Sequence, residues 1–203
     1  GLGDSPYVLA LPGSRRSEVM RLAPVFGEAL SRFQENNPEM RVVVPAAAAV
    51  AELVCENLQG WPEDVVVLDP SAYDTETAQL YKRAAFASAN LALAASGTVS
   101  LELAAANTPM VIAYRFQWLT WRIMKFMAMI DTVTLVNLVT CSRFVPECLG
   151  PNCTAEKISS ALAQVADDPI EQNRAMALTM KQLGQGGEDP GLRAAKAVLA
   201  RLT

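Results

Sequence analysis

The chain has 203 residues, of which 51% are apolar, and its formal net charge is −4. This length supports one well-formed core with a helical appendage, and the slight acidity gives no basic surface for nucleic acid. The chain contains no histidine, so it cannot assemble a Ser-His or Cys-His mechanism by itself. An enzyme built from it would use carboxylates or take its general base from another domain.

Four cysteines are spread through the chain without a C-x-x-C pair, at Cys55, Cys141, Cys148 and Cys153. Although Cys148 and Cys153 are close enough in sequence to pair, nothing else indicates secretion, so we expect free, reduced thiols rather than a disulfide or a metal site. No charged region followed by an apolar run opens the chain, which argues against a signal peptide. The first predicted strand begins at Tyr7 with almost nothing before it, which suggests a fragment of a longer protein.

Short apolar runs alternate with amphipathic segments in the first half of the chain. In chain order the pattern predicts strand 7–11, helix 18–36, strand 40–44, helix 46–59, strand 65–68, helix 74–84, strand 89–95, helix 97–106, strand 110–113 and a candidate sixth strand at 132–135. Strands that are apolar throughout and separated by helices are typical of a parallel sheet covered on both faces. We therefore predict an α/β fold with a doubly wound, mostly parallel, Rossmann-like sheet.

The last quarter of the chain, 152–203, has a helical pattern throughout. Thr154 is expected to cap the first of these helices, and an interruption at 184–191 separates the two that follow. The residues expected on the inward face of the first helix are Ile158, Leu162 and Val165. We divide the chain into a Rossmann-like domain, 1–151, and this C-terminal helical segment, which packs on the domain or on a partner.

One segment, 116–139, is rich in tryptophan, methionine and phenylalanine. It is not expected to span a membrane, because Arg122, Lys125 and Asp131 interrupt it. The favoured interpretation is a helix in the core or at a dimer interface. The alternative is an amphipathic patch that lies on an anionic membrane, with Arg115, Arg122 and Lys125 near the head groups.

The first candidate site is the turn after the first strand, residues 12–15. Ligands of a parallel sheet bind at the carboxyl ends of its strands. Gly13 lets a ligand approach the backbone, Ser14 offers a hydroxyl, and Arg15 offers a planar guanidinium that suits phosphate oxygens. By itself the turn is also consistent with an ordinary strand–helix connection that carries an exposed arginine.

The second candidate site follows the fourth strand, where Ser96, Gly97 and Thr98 open a helix. Free backbone N–H groups and two hydroxyls at such a position can hold a diphosphate without a metal ion. Glu102 lies one turn deeper on the same side, where a carboxylate can accept hydrogen bonds from both hydroxyls of a ribose. The alternatives are plain helix capping by Ser96 and a solvent-exposed or ion-paired Glu102.

A third candidate site is the loop after the candidate sixth strand, with Asn137, Arg143, Pro146 and Glu147. A doubly wound order would place this loop next to the first two sites. An asparagine in a loop usually serves the turn itself, so the spacing alone does not assign a ligand to it.

Three strings of the sequence carry a resemblance to a known family: LALPGSRRSEV (9–19), LALAASGTVSLELAAANTPMVIAYR (91–115) and TLVNLVTCSRFVPECLG (134–150). Together they resemble the C-terminal half of the lipid-A-disaccharide synthases, which are GT-B-type glycosyltransferases. The resemblance implies an inverting transferase, without metal or cofactor, that moves 2,3-diacylglucosamine from UDP onto 2,3-diacylglucosamine 1-phosphate. It also implies a homodimer in the cytoplasm, peripheral to the inner membrane, and leaves contact with the membrane surface open.

The same resemblance implies that the donor's UDP binds to this half. The residues that match the family's donor-binding positions are Gly13, Ser14, Arg15, Ser96, Gly97, Thr98, Glu102, Asn137 and Arg143. Arg15 and Asn137 would support catalysis, Asn137 and Arg143 would meet the donor sugar, and residues 68–73 lie where related folds read uracil. The acceptor site and the general base are expected in an N-terminal half that this chain lacks.

Two other functions remain under consideration. A UDP-N-acetylglucosamine 2-epimerase-like domain would share the fold, but such enzymes rely on histidines that are absent here. A degenerate nucleotide-binding or oligomerisation module is indicated by departures from the family pattern at Val136, Ser142, Phe144 and Gly150. Calorimetry with UDP separates the module from the transferase, because the module would not bind UDP.

Overall fold

The computed structural model describes residues 5–115, 132–188 and 190–200, and within them six strands form a single sheet. The strands are β1 (Tyr7–Leu11), β2 (Arg41–Pro45), β3 (Val65–Leu68), β4 (Leu91–Ala95), β5 (Met110–Tyr114) and β6 (Glu147–Leu149). Their order is β3-β2-β1-β4-β5-β6, and each strand is parallel to its neighbours. The predicted doubly wound α/β sheet is therefore confirmed.

Helices cover both faces of this sheet. They are α1 (Arg16–Gln34), α2 (Ala51–Glu56), α3 (Thr75–Ser88), α4 (Val99–Ala105), α5 (Leu135–Thr140), α6 (Ala155–Asp167), α7 (Ile170–Leu183) and α8 (Pro190–Leu199), with short 3-10 turns at Ala48–Val50, Pro70–Ala72 and Gly150–Asn152. Because successive side chains of a strand point to opposite faces, the strands β1 to β5 each contribute to two apolar layers. One layer is covered by α1, α2 and α6, and the other by α3, α4, α5 and α7.

The C-terminal helices α6 and α7 pack on the sheet of this same chain. Thr154 accepts a hydrogen bond from the backbone N–H of Lys157 at 3.4 Å, which confirms the predicted cap of α6. The three residues predicted for its inward face, Ile158, Leu162 and Val165, are buried. Helix α8 differs, because it exposes the apolar side chains of Leu192, Val198 and Leu199.

The sixth strand lies elsewhere than predicted. Residues 132–135 do not pair with the sheet; β6 is Glu147–Leu149, and α5 begins at Leu135. The reason is visible in the backbone donors, since the N–H groups of Val133 and Thr134 point to the Glu147 carboxylate at 3.0 and 2.7 Å. The Glu147 side chain thus accepts the hydrogen bonds that a neighbouring strand would otherwise have accepted.

The predicted helix 46–59 is also shorter than expected: this segment forms only a 3-10 turn and α2.

Most of the aromatic segment singled out from the sequence, residues 116–131, lies outside the described residues. The choice between a core or interface helix and a membrane-lying patch therefore stays a prediction. Among the helices that the structure describes, none combines the length and the apolar character needed to cross a bilayer.

The four cysteines are free thiols in two different environments: Cys55 and Cys141 are exposed, whereas Cys148 and Cys153 are buried. Burial raises the pKa of the Cys153 thiol to about 11, with Cys148 adding to the shift and Arg115 opposing it. Burial likewise raises the pKa of Cys148. Since the thiolate is the reactive form, we expect iodoacetamide at about pH 8 to alkylate only Cys55 and Cys141 in the folded protein.

Peptide mass spectrometry of the alkylated protein measures this pattern residue by residue. The same reaction in denaturant is the control, because unfolding removes the burial and all four thiols then react. Rapid alkylation of Cys148 or Cys153 under native conditions would contradict the assignment of these residues to the core.

Candidate functional site

The order of the strands reverses between β1 and β4. β1 pairs with β2 on one side and with β4 on the other, so the turns that follow β1 and β4 lie next to each other at the carboxyl edge of the sheet. A cavity of about 750 Å³ opens at this edge and is lined by both turns and by the ends of β2 and β3. Ligands of open α/β sheets bind at such a reversal, and the volume is within the range of small-molecule sites.

The turn after β1 is closed by a carboxylate that lies outside the predicted site residues. Glu18 accepts the backbone N–H of Ser14 at 3.1 Å and lies 3.4 Å from the guanidinium of Arg15. Gly13 has a φ of +119°, and a Cβ there would come within 2.5 Å of the Glu18 side chain, so only glycine fits. The Arg15 side chain is 78% exposed and that of Glu18 only 12%, which leaves the guanidinium at the mouth of the cavity.

A local signal for Glu18 exists in the sequence. It is the third residue of α1, and a glutamate at this position commonly reaches back to a backbone N–H before the helix. Its consequence for the site is that part of the first turn's hydrogen-bonding capacity is already used by the protein.

The turn after β4 is open. Within the described part of the chain, the hydroxyls of Ser96 and Thr98 have no hydrogen-bond partner, and the N–H groups of Thr98 and Val99 have no acceptor. The next two N–H groups of α4 donate to the carbonyls of Gly97 and Thr98. Gly97 adopts a φ of +156°, and a Cβ there would meet nothing within 4 Å. All three residues line the cavity, so this turn can accept hydrogen-bonding oxygens of a ligand.

Glu102 faces the same cavity one turn further along α4, as the spacing predicted. Its carboxylate accepts a hydrogen bond from the ammonium group of Lys82, on α3, at 2.6 Å. The Lys82 nitrogen also lies 5.3 Å from the centre of the Phe86 ring, a geometry in which the ring attracts the cation. No local pattern could reveal Lys82, because it is twenty residues away from its partner.

Residues of the segment 68–73 line the side of the cavity that follows β3. Asp69 accepts hydrogen bonds from the hydroxyl and the backbone N–H of Ser71, and these bonds lower the pKa of its carboxyl group. The rings of Tyr73 and Tyr81 meet edge to face, with centres 4.8 Å apart. This wall therefore combines a fixed turn with flat aromatic surfaces.

Asn137 and Arg143 do not lie at the cavity. Asn137 is fully buried, and its amide forms two hydrogen bonds with the backbone of Val145: it accepts from the N–H at 3.0 Å and donates to the carbonyl at 2.9 Å. It also donates to the hydroxyl of Thr132 at 3.3 Å. Arg143 is exposed and donates to the backbone carbonyl of Ser142. The expectation that Asn137 and Arg143 contact the donor therefore stays a prediction, and in this chain α5 directs the Asn137 amide into the interior.

The charged side chains that line the cavity are two cations and three carboxylates: Arg15, Lys82, Glu18, Asp69 and Glu102. Each cation lies within ion-pair distance of one glutamate. Among the described residues, no group of histidine, cysteine and acidic side chains is arranged to hold a metal ion. Among the described residues that line the cavity, the cations therefore occur as neighbours of carboxylates and not as a cluster.

Solved structures share this fold at low sequence identity. The calicheamicin glycosyltransferase CalG4 superposes with a TM-score of 0.59 at 19% identity, covering 98% of this chain and 44% of that one. A UDP-GlcNAc 2-epimerase from Neisseria meningitidis, bound to UDP-GlcNAc, gives a TM-score of 0.58 at 16% identity, covering 98% of this chain and 45% of that one. These likenesses show that this chain has the fold of one Rossmann-like domain, which makes up about half of each of these proteins.

Curated relatives are closer in sequence. The chain is 61% identical over 202 residues to the lipid-A-disaccharide synthase of Ruegeria pomeroyi, covering 100% of this chain and 50% of the relative. It is 39% identical over 205 residues to that of Rhodospirillum centenum, covering 98% of this chain and 49% of the relative. The chain thus spans about half the length of these relatives. The family model described as lipid-A-disaccharide synthetase matches residues 3–198, and the chain therefore belongs to this family.

Proposed function

We propose that this chain is the donor-binding half of an inverting glycosyltransferase that transfers 2,3-diacylglucosamine from UDP to 2,3-diacylglucosamine 1-phosphate, forming the lipid A disaccharide precursor. The observation that carries the proposal is the placement of two turns from distant parts of the sequence side by side at one cavity. Membership of the family supports the identity of the substrates. The lack of histidine favours a transferase over an epimerase.

In the proposed complex the diphosphate lies over the open turn of Ser96, Gly97 and Thr98, whose hydroxyl and N–H donors are unused. The ribose diol donates to the Glu102 carboxylate, and the base lies against segment 68–73. Arg15 exchanges its long contact with Glu18 for a phosphate oxygen, because a guanidinium binds two such oxygens in its plane. These donors then stabilise the negative charge that develops on the leaving UDP.

Two substitutions test the site. We expect Arg15→Ala and Glu102→Ala each to weaken UDP binding by about 1.5–3 kcal/mol, since each removes a charged hydrogen-bond partner of the ligand. Isothermal titration calorimetry of UDP into the 203-residue chain measures the change. Arg16→Ala and Glu56→Ala are matched controls, because both residues are exposed and neither lines the cavity. Binding that is equally weak in the controls, or absent from the unchanged chain, favours a degenerate module instead.

Transfer itself is expected to need the other half. Catalysis in a GT-B enzyme occurs in the cleft between two domains, and this chain covers only half of its relatives. We expect the chain to bind UDP and to form no disaccharide in a single-turnover assay with both lipid substrates. Product formed by the chain alone would contradict the assignment of the general base to the other half.

We infer on the same family grounds that the whole protein is a cytoplasmic homodimer, peripheral to the inner membrane. Within this chain, the exposed apolar side chains of α8, Leu192, Val198 and Leu199, support a surface that a second protomer covers.

A further inference from the structure

The two turns of the cavity share one short pattern, a glycine followed by a hydroxyl residue and, four residues later, a glutamate. It is Gly13-Ser14 with Glu18 after β1, and Gly97-Thr98 with Glu102 after β4. The two carboxylates nevertheless have different partners. Glu18 folds back on its own turn and accepts the Ser14 N–H, whereas Glu102 is held by a lysine from another helix.

This difference matters for a ligand that carries a diphosphate. The cavity has more carboxylates than cations, and an unpaired Glu102 would lie beside the open turn and repel phosphate oxygens. A ribose needs that same carboxylate as a hydrogen-bond acceptor. The site must therefore keep Glu102 as a hydrogen-bond acceptor while its negative charge is offset. The ammonium group of Lys82 offsets the charge through a hydrogen bond of 2.6 Å to one carboxylate oxygen, and the other oxygen stays available as an acceptor.

We propose that Lys82 is a positioning residue that neutralises Glu102, so that a ribose diol and a diphosphate bind side by side in one cavity. The inference rests on the proposed function, since it concerns the same UDP site. Lys82 acts through Glu102: its ammonium group is fixed between the carboxylate and the Phe86 ring.

A purely structural role for this ion pair predicts something different. The side chains of Lys82 and Glu102 are 42% and 48% exposed, and ion pairs as exposed as this one contribute little to stability. We therefore expect Lys82→Met to leave the thermal midpoint of unfolding within about 2 °C of that of the unchanged chain. Binding, not stability, is the readout.

The experiment compares UDP with uridine, which has the base and the ribose but no phosphate. Calorimetry on the unchanged chain, Lys82→Met, Lys82→Arg and the double variant Lys82→Met/Glu102→Gln gives the ratio of the two affinities for each protein. We expect Lys82→Met to lower this ratio about tenfold, Lys82→Arg to keep it, and the double variant to recover it to within about threefold. The recovery is expected because glutamine keeps an acceptor oxygen but carries no charge.

Each other outcome decides against the inference. An unchanged ratio in Lys82→Met means that Lys82 does not affect the phosphate groups. A ratio that falls and is not recovered by Glu102→Gln means that Lys82 contacts the phosphates directly rather than through Glu102. Failure of the unchanged chain to bind UDP overturns the proposed function and this inference with it, whereas UDP binding that is insensitive to Lys82 overturns this inference alone.

Discussion

Replacement of Gln172 by leucine is expected to lower the free energy of unfolding by about 3–5 kcal/mol. Gln172 is buried on α7, where its amide accepts the N–H of Met110 at 2.5 Å and donates to the carbonyl of Met110 at 3.0 Å and of Phe144 at 3.1 Å. Leucine fills nearly the same volume but leaves these three backbone groups without a partner. The decrease in the free energy of unfolding therefore reports the cost of unsatisfied backbone groups and not that of a cavity.

Urea denaturation gives the change in the free energy of unfolding, provided that the m-value stays constant. Gln164→Leu on α6 is the matched control, since it makes the same chemical change at an exposed helical position. A loss of stability no greater than in Gln164→Leu would show that the amide of Gln172 does not hold the start of β5.

The second large effect is expected at Asn137. Alanine at this position removes both hydrogen bonds to the Val145 backbone and the bond to Thr132, at a cost of about 2–4 kcal/mol in the free energy of unfolding. Since the amide does not reach the cavity, we expect the affinity of the folded protein for UDP-N-acetylglucosamine to change by less than about threefold.

The two readouts separate an internal role from contact with the donor sugar. Urea denaturation reports the first and calorimetry below the unfolding transition reports the second, with Asn36→Ala, an exposed asparagine, as the control for both. Weakened binding with unchanged stability would instead support the contact between Asn137 and the donor sugar that the family resemblance implies.

The sequence was sufficient for the first five strands of the sheet and for the positions of the turns after β1 and β4, because the signals there are local. Apolar runs mark the buried strands, and Gly13 and Gly97 mark the positions after β1 and β4 where the backbone turns. The parallel connection then brings these turns together by topology alone. Glu102 was found in the same way, from its spacing to Thr98 along one helix face.

The remaining features depend on contacts that no local pattern encodes. Lys82 meets Glu102 through the packing of α3 against α4, and the direction of the Asn137 amide is set by an eight-residue return to Val145. The β-branched segment 132–135 resembles a strand in composition, yet the N–H groups of Val133 and Thr134 donate to the Glu147 carboxylate and not to a neighbouring strand. Hydrogen bonds of polar side chains to side chains or backbone of another element are thus the features that a single sequence does not reveal.

The way the amide of Gln172 completes β5 has a consequence for self-association. Ile112 gives its N–H to Pro146, and Met110, two residues earlier, faces the same side before β6 has begun. A strand of another molecule could pair with unsatisfied backbone groups at such a sheet edge, and proteins commonly protect exposed edges against this kind of aggregation. Here Gln172 satisfies the backbone N–H and carbonyl of Met110, and the edge strand β6 has only three residues. This edge of the sheet therefore offers few free backbone groups for the strand pairing that leads to fibrils.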